Sequence, residues 1–252
     1  MKINKIKKLA SSKYKIEFDN NQKLTTYDEV ILKNNLLFNK NIDSSKLNNI
    51  INDNDYYHLY NKCINYISIK MRSEKEIKEY IIKQDENANY QKIIKELKDK
   101  GFINDNIFLK SFIADKINLS TNGPEKIKSE LINHNIDIKL IDEELNKIDE
   151  EIINEKLIKL ITKKIKNNNK YSNYHLKQKV VNDLINLGYK KENILYILNN
   201  FDLDDNNALK KEYEKQLRLL SKKYKGQELN YKIKQKLYQK GFNSFDIENI
   251  LN

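Results

Sequence analysis

The chain has 252 residues with 47 basic and 36 acidic side chains, a net charge of +11, and a mean hydropathy of -0.80. Such polarity suits small helical modules with thin cores better than one deep core. Five glycines and one proline are too few turn formers for a β-rich fold, and the single cysteine, Cys63, excludes an intrachain disulfide or a cysteine zinc site. No apolar run approaches the roughly 18 residues of a membrane span, and the start lacks the apolar core of a signal peptide. A cytoplasmic chain that touches no membrane is expected.

Positive charge points to polyanionic partners. Part of it has a plainer origin: only Arg72 and Arg218 are arginine, Asn and Ile abound, and an AT-biased genome writes lysine freely. The distribution is more telling. Residues 1–53 carry 10 basic and 6 acidic groups, 54–148 balance at 16 and 16, 149–200 carry 10 and 6, and 201–252 carry 11 and 8. The middle is neutral and both ends are basic.

Residues 1–53 differ from the rest. Tyr14, Ile16 and Phe18 alternate with charged residues over Lys13 to Asp19, which predicts a half-buried strand. Asn20 to Gln22 is a turn into a second strand over "KLTTYDEVIL", and "DSSK" caps a short helix near Asp43 to Ile50. The alternation favours this small β-containing extension over a flexible basic arm.

From Asp55 onward the pattern is helical and repeats. "LINLGYKKENILYIL" from Leu184 matches "LYQKGFNSFDIENIL" from Leu237 at a 53-residue offset, pairing Gly188 with Gly241 and Tyr189 with Phe242. Another step back lands on Leu131, with Asn135 in the glycine's place and Ile136 in the aromatic's. Each match reads as a helix end, a left-handed Gly or Asn, an apolar residue packing back, and a short helix. With the helix before each match, the chain divides into three-helix groups at 54–103, 104–148, 149–200 and 201–252. The fold class is mainly α, with tandem triplets stacked into an elongated curved body.

Local chemistry within the triplets is capping chemistry. In "MRSEKEIKEYI", Ser73 and Glu76 form a capping box ahead of Ile77 and Ile81, and Arg72 is placed to clamp a carboxylate between triplets or reach a partner. In "LKDKGFINDNIFLKSFI", Gly101 ends a helix, Phe102 packs back, and Asn104 or Asp105 caps the helix of Phe108 and Phe112. In "STNGPEKIKSEL", Gly123 turns the chain sharply and Pro124, the only proline, opens a helix where its missing N–H costs nothing. No phosphate loop, dinucleotide fingerprint or zinc motif occurs, and His58, His134 and His175 share no ligand spacing. Catalysis, a metal and a cofactor are not expected.

In their order and separation these three stretches resemble the RecX family of recombinase regulators. The matching positions are Arg72, Ser73, Glu76 and Ile77; Gly101, Asp105 and Phe108; and Gly123, Pro124, Ile127, Glu130 and Leu131. The resemblance covers about 54–200, and the two ends resemble the extensions of longer Gram-positive members. Asn104 stands where aspartate is usual, Leu109 where alanine is, and Asn135 where glycine is. The resemblance implies a non-enzymatic protein that binds the RecA recombinase or its filament on single-stranded DNA and limits its ATPase, filament growth and strand exchange. A monomer is expected, with weak, non-specific affinity for single strands.

The residues themselves add candidate contacts. Lys156, Lys159, Lys163, Lys164 and Lys166 cluster in the third triplet, the first three spaced to share one helical face. Lys210, Lys211, Lys215, Arg218, Lys222 and Lys223 cluster in the fourth. With Tyr171, Tyr174, Tyr213, Tyr224 and Tyr231 as base-stacking candidates, the same lysines would serve a DNA-binding protein acting alone. A helical scaffold for an unrelated protein is the third reading.

Overall fold

The computed structural model describes residues 1–9 and 13–251. It divides into two compact parts, Met1–Phe108 and Leu109–Asn252.

The first part opens with an antiparallel sheet of β1 (Ile3–Lys8), β2 (Lys13–Phe18) and β3 (Lys23–Tyr27), in that spatial order. The alternation in β2 does what its pattern requires: Ile16 and Phe18 are buried, and with Ile3 they form a core against Val30, Ile31 and Leu36. The turn closes at Asn21, whose φ of 64° lies in the left-handed region that asparagine tolerates. Two expectations change. The second strand stops at Tyr27, and Asp28–Lys33 is the helix α1, whose first turn carries Asp28 and Glu29 where a helix N-terminus favours negative charge. The short helix capped by Asp43 does not stop at Ile50; α2 runs through Ser44–Ile69, 26 residues without glycine or proline. It crosses the expected boundary at residue 53 because its first half buries Ile50 against the sheet and its second half buries Leu59, Tyr60 and Cys63 elsewhere. Asp53, in the polar run that suggested a fresh start, accepts from Lys33 Nζ at 2.5 Å and Asn34 Nδ2 at 2.9 Å instead.

Behind α2 come α3 (Glu74–Gln84) and α4 (Tyr90–Asp99), which share with it a core of Cys63, Ile77, Ile81, Ile93 and Leu97. Burial pushes the Cys63 thiol up to about 11, so it is a packed apolar group and not a thiolate. Gly101 takes the left-handed turn at φ 74°, but Phe102 stays 45% exposed and its neighbour Ile103 takes the buried place. Asn104 caps α5 (Asp105–Leu119), accepting from the Ile107 amide at 3.2 Å.

The second part continues with α6 (Pro124–Asn133), α7 (Ile138–Leu145), α8 (Glu150–Lys166), α9 (Asn173–Asn186), α10 (Lys191–Leu198), α11 (Asn206–Leu220), α12 (Gly226–Gln239) and α13 (Ser244–Leu251). Helices α8–α10 share one buried cluster and α11–α13 another, and the 53-residue pairs Leu184/Leu237, Tyr189/Phe242 and Ile194/Ile247 are buried in them. Asn135, Gly188 and Gly241 all have positive φ, at 60°, 86° and 74°, as the helix-ending pattern requires.

Gly123 corrects an expectation. Its φ is -88° and its ψ 171°, an extended cap with no left-handed strain. The glycine is needed because another backbone passes too close. A Cβ there would lie 2.5 Å from the Gly188 carbonyl oxygen, and one on Gly188 would lie 2.3 Å from the Lys126 nitrogen. The Gly123 amide donates to Leu187 O at 2.6 Å and the Glu125 amide to Gly188 O at 3.1 Å. Two unsatisfied donors of α6 thus meet two unsatisfied acceptors of α9, with opposite ends of the two helix dipoles in contact. Pro124 sits between those donors. The equivalent first-turn amides of α3 and α9 find a carboxylate, Glu74 on Asp105 at 2.9 Å and Asn173 on Asp205 at 2.6 Å. Proline removes that need.

Gly123→Ala and Gly188→Ala should each lower stability by about 1–3 kcal/mol through overpacking, Gly188→Ala with added left-handed strain. Pro124→Ala should change it by no more than about 1 kcal/mol. Urea denaturation midpoints check this; equal, small effects in all three variants would mean that the contact is loose.

Candidate nucleic-acid interface

The family-motif positions turn out to hold helix ends. Ser73 and Glu76 complete the capping box, the Glu76 amide donating to Ser73 Oγ at 3.3 Å and the Ser73 amide to Glu76 Oε2 at 3.1 Å. Arg72 pairs with Glu76 at 3.1 Å and lies 3.8 Å over the Tyr66 ring, so the carboxylate it clamps belongs to its own triplet and does not bridge two. Burial opposes ionisation of Glu76, but the Ser73 amide, Arg72 and Lys70 outweigh it and hold the carboxyl below its usual range. Glu130 accepts from Asn122 Nδ2 at 2.9 Å and pairs with Lys116, fixing the turn from α5 into α6. Phe108, Ile127 and Leu131 are core. These residues cap helices, pair charges and fill the core of the scaffold.

Basic and aromatic side chains collect around the connection from α8 to α9. Asn168 ties it down: its Oδ1 accepts from the Tyr171 amide at 3.0 Å and its Nδ2 donates to Tyr171 O at 2.7 Å. Ser172 then caps α9 while its hydroxyl donates to Lys240 O at 2.7 Å, which docks the start of α9 on the end of α12. Between α9 and α11 lies an open groove of about 800 Å³ lined by Lys170, Tyr171, His175, Lys179, Lys211, Lys215 and Lys240. A hollow of about 480 Å³ on the α8 side shares Lys170, Tyr171 and Lys179 with it and adds Lys163 and Lys164.

Not all of this charge is available. Asp183 pairs with Lys164 at 2.6 Å and Lys179 at 3.9 Å, and Glu212 with Lys240 at 2.7 Å. Burial works against ionisation of Glu212, but hydrogen bonds from Lys240 and Gln216 keep its carboxyl below the usual range. Lys163, Lys170, Lys211 and Lys215 have no ion pair among the described residues. They line the same two hollows as Tyr171, whose ring centroid lies 5.4 Å from Lys170 Nζ and 5.8 Å from Lys179 Nζ. Ammonium groups for phosphates around an aromatic face for a base are what a sequence-tolerant single-strand site requires.

The lysines singled out in the sequence fare unequally. Lys163, Lys164, Lys211 and Lys215 come together at the two hollows. Lys159, Lys166, Lys210, Arg218, Lys222 and Lys223 are exposed outside them, Lys159 with Glu155 at 3.5 Å. Lys156 does not share an exposed face with Lys159 and Lys163. It turns inward and donates to Ile117 O at 2.7 Å, Lys116 O at 3.2 Å and Asn122 O at 3.4 Å, capping the end of α5. Burial pulls its pKa down. Lys170, Lys179 and Lys240 escape a search for clusters because they lie apart in the chain, before α9, within α9 and at the end of α12. The signal for them was the cap Ser172 and the turn Gly241, which mark where two helix ends meet. Of the tyrosines, Tyr174 and Tyr231 are exposed at 60% and 63%, while Tyr213 packs on the α11–α13 core.

Among the described residues no helix is long and apolar enough to cross a membrane. No protein-family model matches the chain. Comparison with curated proteins finds full-length relatives. It is 32% identical to "Regulatory protein RecX" of Streptococcus uberis, over 100% of this chain and 99% of that one. It is 31% identical to the protein of that name in Listeria welshimeri, over 100% and 96%. Among solved structures, "Crystal structure of regulatory protein RecX" superposes with a TM-score of 0.66 at 23% identity, covering 78% of this chain and 98% of that one. "Crystal structure of RecX from Lactobacillus salivarius" does so at 0.52 and 27%, covering 57% and 95%.

Lys156→Met should lower stability by about 1.5–3 kcal/mol, the range for hydrogen bonds to a charged group, because carbonyls at the end of α5 lose their donor. It should leave the salt dependence of single-strand binding unchanged. Denaturant midpoints and oligonucleotide titrations on the same variant check both.

Proposed function

Because the chain belongs to the RecX family of regulatory proteins, we propose that it binds the RecA recombinase filament on single-stranded DNA and limits its ATPase, growth and strand exchange without catalysing a reaction of its own. Membership of that family is what supports the recombinase as partner in this reading. The observation that carries the single-strand contact is the groove lined by Tyr171 with Lys170, Lys211 and Lys215, which have no ion pair among the described residues, and Lys163 lies in the adjoining hollow. In this reading protein contacts with the filament give specificity, and Lys163, Lys170, Lys211 and Lys215 add attraction to phosphate. The same groove also suits a DNA-binding protein acting alone, so the two readings need to be separated.

Lys170→Gln, Lys211→Gln and Lys215→Gln combined should flatten the log–log salt slope for single-strand binding by up to about two units, at roughly 0.7 per phosphate contact. Single-strand-dependent ATPase of the cognate recombinase should still fall at substoichiometric ratios of this variant. Inhibition that drops in proportion to DNA affinity, and disappears with excess free strand, would establish the stand-alone binder instead.

A further inference from the structure

We propose that the outer face of the N-terminal sheet is a second nucleic-acid site, one that takes the sugar–phosphate backbone of a duplex. The pairing of the strands places it. Lys5 faces Glu17, which faces Lys23; Lys7 faces Lys15, which faces Thr25. Residues opposite one another across a sheet point to the same side, and the side opposite this set holds Ile6, Ile16 and Leu24 over the core. The outer face therefore carries Lys5, Lys7, Lys13, Lys15 and Lys23 against one carboxylate, Glu17.

Little neutralises these charges. The Lys15–Glu17 pair is long, at 3.8 Å, with both side chains more than a third exposed, so it screens weakly. Lys5, Lys7 and Lys23 are exposed and have no ion pair among the described residues. Codon bias alone does not explain the excess, since residues 54–148, written with the same bias, balance at 16 basic and 16 acidic.

The chemistry of the face selects its occupant. Strands lie about 5 Å apart and alternate residues about 7 Å apart, so the lysines form a flat grid with charge in two dimensions. A duplex carries one negative charge per roughly 1.7 Å of axis, against roughly 3.4 Å for each of its strands, and matches such a grid best. Single-strand sites offer aromatic rings to unstacked bases. Here the one ring on this side, Tyr27, is only 8% exposed, hydrogen-bonded to His58 at 2.7 Å, with Lys13 Nζ 5.5 Å from its centroid. The face contacts backbone and leaves bases unread, the opposite of the groove at Tyr171. It needs neither a recombinase nor that groove.

The test uses the full chain with a blunt duplex and a single-stranded oligonucleotide, titrated by fluorescence polarisation across salt. Changing Lys5, Lys7, Lys15 and Lys23 together to Gln should reduce the duplex salt slope by about three to four units, at roughly 0.9 per contact, and leave the single-strand slope unchanged. The corresponding Arg variant should retain duplex binding. On the unmodified chain, duplex should protect these four lysines from acetylation, whereas single strand should protect Lys211 and Lys215. An unchanged duplex slope, equal losses for duplex and single strand, or no acetylation protection at Lys5, Lys7, Lys15 and Lys23 would overturn the proposal. A failure of recombinase inhibition would leave these readouts unaffected.

Discussion

In the second part of the chain, two helix ends touch backbone to backbone. The N-terminus of α6 and the C-terminus of α9 approach so closely at Gly123 and Gly188 that neither position has room for a Cβ. Unsatisfied amides meet unsatisfied carbonyls there, and each helix end solves the other's hydrogen-bonding problem. A buried helix end without such a partner would cost on the order of 1–3 kcal/mol for each unmet group. The cores of these triplets are thin, so that contact is large relative to what each could hold alone.

The same device recurs one step along with different chemistry. At the start of α9, Ser172 stands where α6 has Gly123, and its hydroxyl bridges to Lys240 O beside Gly241. A Cβ on Gly241 would come within 3.0 Å of Ser172 Oγ, so the turn residue is constrained by the cap it receives. That joint also forms one end of the basic groove, which brings Lys240 from α12 beside Lys170, Tyr171 and His175. Scaffold and site thus share one set of contacts. A change at Ser172 or Gly241 disturbs both.

Charge is divided between structure and surface in a way that residue type alone does not reveal. Lys156 is spent on carbonyls at the end of α5, and Lys164, Lys179 and Lys240 are held by Asp183 or Glu212. Two sets of lysines without an ion pair among the described residues share a surface, one lining a groove with Tyr171 and the other a flat sheet face without an exposed ring. The contrast is physical: rings take unstacked bases, and a bare grid of ammonium groups takes phosphate.

Much of this was legible in the residues. The 53-residue register placed Asn135, Gly188 and Gly241 at left-handed helix ends, and the capping box at Ser73 and Glu76 formed as its spacing demands. Such features depend on neighbours a few residues apart, so sequence carries them whole. The long-range decisions were hidden. Nothing local distinguishes Lys156 from Lys159, yet one faces the end of another helix and the other faces water. The run around Asp53 looks like a helix start, but burial of Ile50 on one side and Leu59 on the other, with Lys33 and Asn34 brought in by α1 to hold Asp53, makes it the middle of α2. Gly123 could be recognised as necessary, but for the wrong reason. Its backbone is relaxed, and what forbids a side chain is Gly188, 65 residues further along the chain. Sequence determined the helices, their caps and their turns because those are short-range chemistry; tertiary structure decided which helix ends meet and which lysines stay free, because those depend on residues far apart in the chain.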